Sequence, residues 1–323
     1  MLPGILCAAA VAALAFVCAR FVPLVGAPVF AIVFGVAIRT LAPLPEALRP
    51  GLAFSSRTVL QTAIVVSGLT LSMAVVVRTG LGTLPVTLGT VAVALVLAPL
   101  LGRLLKLREA LHMLIGVGTA ICGASAIAAV ATVIEPDESE IALAIATVFF
   151  YNVVAVLVFP PIGHALQLSQ SSFGLWAGTA INDTSSVVAA GFAYGKEAGQ
   201  YATIVKLTRA TLILPIVAAL ALQRARAART ASRTIPWRQI VPWFIVWFLC
   251  AVLVNSTGII PPSSHDAIAT AAIFLISTAL AAIGLQTELA SLLRTGAGPL
   301  LLGFLLWVAV ALSSLALQRT LGL

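Results

Sequence analysis

Asn182 and Asp183 stand side by side in the middle of an apolar segment, followed by Thr184, Ser185 and Ser186. Further along a second apolar segment come Lys206 and Arg209, three apart and therefore on one face of a helix. A charged side chain at the centre of a membrane helix costs about 3 kcal/mol, so such residues have partners or a function. Asp183 can cap a half-helix with its carboxylate or carry a coupling proton. Asn182 offers an amide to a substrate or to sodium. Lys206 can pair with Asp183, or one or both cations can draw an anion to this depth. A guanidinium suits flat, bidentate oxyanions better than an ammonium does.

The same pattern occurs twice. Gly118-Thr119-Ala120-Ile121-Cys122-Gly123-Ala124-Ser125 matches Gly178-Thr179-Ala180-Ile181-Asn182-Asp183-Thr184-Ser185, and the match extends without gaps over 111–161 and 171–221. In both copies small and polar residues interrupt an apolar run, which weakens a helix. Non-helical backbone survives at membrane depth only where protein or a watery cavity satisfies it. Small residues also let helices pack closely. Two copies in the same setting favour paired broken elements lining a site. The second half of each would begin with unpaired amides at a positive dipole end, a place for an anion. The expected substrate-binding residues are therefore Gly123, Ala124, Ser125, Asn182, Asp183, Thr184, Ser185, Ser186, Lys206 and Arg209. Tyr151 and Asn152 are further candidates for polar contacts.

A looser repeat pairs 59–107 with 275–323. Gly68-Leu69 and Arg78-Thr79-Gly80-Leu81-Gly82 recur at the same spacing as Gly284-Leu285 and Arg294-Thr295-Gly296-Ala297-Gly298. Locally, Arg-Thr-Gly reads as a helix C-terminus, with a cation near the last carbonyls and glycine beyond.

These elements belong to a chain of 323 residues that is 61% hydrophobic and only 9% charged, far from a soluble globular composition. Apolar segments fall at 4–22, 26–42, 59–77, 84–105, 111–133, 139–161, 172–193, 199–222, 239–256, 267–287 and 299–317. At the roughly 20 residues a spanning helix needs, they indicate an all-α polytopic membrane protein with about 9–11 transmembrane segments. The first segment lacks a basic leader and is followed at once by another, so it reads as a span rather than a signal. The net charge of +8 is concentrated in Arg39/Arg49/Arg57, Arg103/Lys106/Arg108 and Arg224/Arg226/Arg229/Arg233/Arg238, all on the N-terminal side. The positive-inside rule makes that side, and the N-terminus, cytoplasmic.

If every segment crossed, 111–133 and 172–193 would be parallel, unlike the antiparallel 59–77 and 267–287. The conflict disappears if both broken segments are re-entrant hairpins, the first entering from the cytoplasm and the second from outside. Loop 163–171, with Ser169, then lies outside. The chain forms one transporter domain of inverted repeats.

Enzyme chemistry is not expected, because no histidine–acid or nucleophile–base cluster falls at membrane depth. His112, His164 and His265 lie near segment edges without metal-ligand spacing. Cys7, Cys18, Cys122 and Cys250 all fall in apolar segments and indicate no disulfide framework. The acidic run from Glu135 to Glu140 reads as a solvated connection. Gln286 and Glu288 close the 267–287 segment at the interface.

The run from Gly178 to Gly191, with Val205-Lys206-Leu207-Thr208-Arg209 and Ile121-Cys122-Gly123-Ala124-Ser125-Ala126, resembles the signature of the YeiH-type sulfate exporter family of bacterial inner-membrane proteins. The resemblance covers almost the whole chain. It implies a multi-pass carrier of the cytoplasmic membrane that exports sulfate or sulfite. Similarity of that family to bile-acid-symporter-like and cation/proton-antiporter-like carriers implies H+ or Na+ as a coupling ion, with no other cofactor. Many members of that family have a histidine where this chain has Asn182, and if that histidine relays protons, its absence here speaks against proton coupling through this position. A coupled carrier of an organic carboxylate is the alternative. Partners are a small anion and membrane lipids, with a homodimer as the assembly considered and no nucleic acid. On this reading Arg209→Gln abolishes anion flux and leaves the fold intact.

Overall fold

The computed structural model describes residues 1–21, 26–228, 243–287 and 296–323. Arg229, Arg233, Arg238, Glu288, Arg294 and Thr295 lie outside the described residues, as do the side chains of Arg224 and Arg226. The helices are α1 (Leu2–Ala19), α2 (Ala27–Leu41), α3 (Arg49–Phe54), α4 (Leu60–Gly68), α5 (Met73–Leu104), α6 (Glu109–Ala120), α7 (Ala124–Ile134), α8 (Glu138–Ala165), α9 (Gln170–Ala180), α10 (Thr184–Tyr194), α11 (Lys196–Thr211), α12 (Ile213–Ala228), α13 (Trp243–Ser256), α14 (His265–Gln286) and α15 (Ala297–Leu321). A π-helical turn, Ser55–Val59, joins α3 to α4. Six helical stretches among the described residues are long and apolar enough to cross a membrane. The chain is an all-α polytopic membrane protein.

Two groups of helices pack side by side. One gathers α1 to α4 and α13 around α14, and the other gathers α5 to α12 with α15. They meet chiefly where α10 lies against α2 and α14.

Both segments expected to break do so, at Ile121–Gly123 and at Ile181–Asp183. Each then folds back on itself. Arg108, just before α6, reaches Asp137 at 2.5 Å and Glu140 at 3.4 Å, both just after α7. Phe173 near the start of α9 stacks on Tyr194 at the end of α10, ring centroids 3.8 Å apart. The Tyr194 hydroxyl donates to the Leu168 carbonyl at 2.5 Å. In a continuous helix Phe173 and Tyr194 would be about 30 Å apart, so 170–194 is a hairpin. The first segment is one too.

α8 relates the two hairpins. Its N-cap Asp137 closes the base of the first, while His164 near its other end stacks on Tyr194 of the second, centroids 4.2 Å apart. An α-helix of 28 residues is about 42 Å long. The hairpins therefore enter from opposite ends, and their tips meet near its middle, at Asn152. Single cysteines at Lys106 and Ser169 test this in intact cells. An impermeant maleimide is expected to label only one of them from outside, and labelling of both from the same face would contradict the geometry.

Three expectations are corrected. The 59–77 and 84–105 segments are divided elsewhere: the break falls at Leu69–Ser72, and α5 runs unbroken through Arg78-Thr79-Gly80 and Pro85. Arg-Thr-Gly is no helix end here. Ser72 starts the helix by accepting the Val75 amide at 3.3 Å, and Gly80 serves close packing, since a Cβ there would lie 3.1 Å from Thr208 Oγ1. The acidic run is more than a solvated link. Asp137 and Glu140 form a capping box on α8, and Glu140 is 3% exposed beneath Arg108. Tyr151 turns away from the tips and donates to Leu300 O at 2.8 Å.

Candidate functional site

The crossing of the two tips is built around α11. Gly174 and Gly178, one turn apart on α9, let α11 approach closely: a Cβ on Gly178 would lie 2.7 Å from Val205 Cβ, and one on Gly174 2.9 Å from Ala198 O. Lys206 and Arg209 consequently reach both tips, and neither is exposed to solvent.

Each first half-helix ends with carbonyls that have no intrahelical donor. Arg209 donates from Nε to Ala120 O at 2.6 Å, from Nη2 to Thr119 O at 2.6 Å, and from Nη1 to Thr179 O. Lys206 donates from Nζ to Ile121 O at 2.7 Å, Ile181 O at 3.0 Å and Asn182 O at 2.5 Å. Each cation thus binds carbonyls of both hairpins. Two positive groups sit against the negative ends of α6 and α9, the favourable placement for cations. The hydrogen bonds of Lys206 and Arg209 go to backbone carbonyls rather than to the Asp183 carboxylate.

Asp183 caps α10. Its Oδ2 accepts the amides of Ser185 at 3.0 Å and Ser186 at 3.4 Å, and the Ser185 hydroxyl as well. Asn152 Oδ1 accepts the amides of Asn182 at 3.2 Å and Asp183 at 3.1 Å, fixing the second tip to α8. Asn182 Oδ1 is buried with no hydrogen-bond partner among the described residues.

The first tip is different. Its N-cap is Gly123, at φ 67° and ψ −128°, which has no side chain to cap α7. The amides of Ala126 and Ile127 turn back to Gly123 O, each at 3.1 Å. Ala124 and Ser125, at the start of α7, are exposed, whereas Ser185 and Ser186 on α10 are buried. A Cβ on Gly123 would lie 3.6 Å from Asp183 Cβ and 3.8 Å from Asn152 Nδ2, so both tips and α8 adjoin at this point. The arrangement presents an open, positive helix end with the Asp183 carboxylate on the neighbouring tip.

The expected residues from Gly123 to Ser125 and from Asn182 to Ser186, with Lys206 and Arg209, all belong to the two tips and the helix that joins them. Thr179 and Ser314 were not anticipated as partners. Their hydroxyls lie 2.7 Å apart, and Gln318 Nε2 donates to Ser314 Oγ at 3.1 Å, bracing the second hairpin against α15.

A family model described as conserved hypothetical protein 698 matches residues 3–303. A UPF0324 membrane protein of Streptococcus pyogenes serotype M3 is 40% identical over 332 residues, covering 100% of this chain and 98% of that protein. A UPF0324 membrane protein of Clostridium tetani is 39% identical over 334 residues, covering 99% and 97%. One of Fusobacterium nucleatum subsp. nucleatum is 38% identical over 324 residues, covering 94% and 93%. No solved structure matches the chain.

Proposed function

We propose, from the premise that the chain belongs to the conserved hypothetical protein 698 family of UPF0324 membrane proteins, that it is a secondary transporter of a small inorganic oxyanion such as sulfate or sulfite. The observation that carries this reading is the charge of the crossing. Lys206 and Arg209 outweigh Asp183 by one unit, and the cations already neutralise the helix ends they touch. A helix N-terminus carries about half a positive charge, and the one beginning at Ala124 is open. An anion there needs no charged side chain of its own.

The pair of hairpins entering from opposite ends supports a carrier of inverted repeats, whose sites lie at the membrane midplane between discontinuous helices. The basic residues Arg39, Arg49, Arg57, Arg103, Lys106 and Arg108 support an N-terminus and a first-hairpin base on the cytoplasmic side of a bacterial inner membrane. Export of sulfate or sulfite is the transport direction and cargo assigned on the resemblance of the tip sequences.

Everted vesicles containing the protein are expected to accumulate labelled sulfite or sulfate saturably, and labelled dicarboxylates less well. Preference for the carboxylates would replace the oxyanion with an organic acid. Absence of saturable flux for either class would remove the transporter reading.

A further inference from the structure

Carbonyls freed where a helix unwinds at mid-membrane are the ligands with which discontinuous transporter helices hold a coupling Na+ or H+. Six of them converge at this crossing, and each already has a donor. The Lys206 ammonium holds Ile121 O, Ile181 O and Asn182 O, and the Arg209 guanidinium holds Thr119 O, Ala120 O and Thr179 O. Three acceptors around one Nζ require all three N–H of the charged form, because a neutral amine has two.

We propose that Lys206 is a resident cation standing where a coupling ion would stand, so that the protein works without Na+, and that its ammonium conceals a monovalent-cation site. The walls of that site are the carbonyls of Ile121, Ile181 and Asn182. One of the same residues, Asn182, also carries a buried side-chain acceptor, Oδ1, without a hydrogen-bond partner among the described residues. A free Na+ has no place beside Lys206. It would compete for occupied oxygens against two fixed positive charges, the second being Arg209 on the next turn of α11. Take the ammonium away and three buried carbonyl oxygens lose their donor.

The inference on coupling rests on the transporter reading, while the inference on cation binding does not. The test separates them. Purified full-length protein in detergent is unfolded by heat in NaCl, choline chloride or methylammonium chloride at equal ionic strength, both as wild type and as Lys206→Ala. The wild-type midpoint is expected to be the same in all three salts. Lys206→Ala is expected to unfold at a lower temperature and to recover in a concentration-dependent way with Na+ or methylammonium, but not with choline. A wild-type midpoint that rises with Na+, or a variant that responds to choline as to the smaller cations, overturns the proposal. If Lys206→Ala does not fold, the wild-type arm decides, together with sulfite flux in proteoliposomes. Flux should be equal in Na+ and choline media, and a requirement for Na+ overturns the proposal. A protein indifferent to Na+ that carries no anion would instead leave the resident cation standing and remove the transporter reading.

Discussion

Arg209→Gln is expected to destabilise the protein by about 4 kcal/mol, and to lose flux for that reason. Three buried carbonyls depend on this guanidinium, and each buried polar group left without a partner costs roughly 1–3 kcal/mol. Glutamine has one donor nitrogen, too few for carbonyls that belong to two hairpins. Lysine at this position would keep the charge but not the planar fork, and is expected to recover only part of the loss. Thermal or denaturant unfolding in detergent reads the effect directly. A variant that unfolds with the wild type yet carries no anion would restore the simpler expectation from the sequence, that Arg209 serves the ligand alone.

Gly123→Ala is expected to raise the anion KM about tenfold, equivalent to 1.4 kcal/mol of lost binding. Space does not forbid the methyl group, since its nearest neighbours would be in ordinary contact at 3.6 Å. The backbone does. At φ 67° and ψ −128° an L-residue is strained by about 2 kcal/mol, and the strain is relieved by turning the peptide that begins α7. The amides of Ala124 and Ser125 would then point away from the opening. Concentration-dependent flux into vesicles checks this, with unfolding measured alongside. An unchanged KM in the folded variant would move the anion away from the start of α7.

Much of this architecture is legible in the residues because it depends on the solvent. Small and polar residues interrupt an apolar run twice in the same setting, and at Ile121–Gly123 and Ile181–Asp183 both copies stop the helix. The helix bounds of the second hairpin, Thr184–Tyr194, are those of the first, Ala124–Ile134, moved sixty residues along. What Lys206 and Arg209 would touch is not legible. Their partners are carbonyls, which every residue has, so no side-chain type marks them. Glu140 is hidden in the same way, because the Arg108 that covers it lies across a hairpin rather than beside it in the chain. Thr179 and Ser314 are separated by more than a hundred residues, and neither carries a pattern that names the other. Arg78-Thr79-Gly80 misleads for a different reason. Glycine ends helices in water, whereas between membrane helices it is also used to bring neighbours close.

The bond pattern of α11 limits how an ion could get past the crossing. One helix, through two side chains three residues apart, rivets both hairpins together. Neither tip can swing aside as an independent gate without stripping donors from its own carbonyls. On the transporter reading, the paired hairpins travel as a single block with α11, and the surface available for that movement is the seam where α10 lies against α2 and α14.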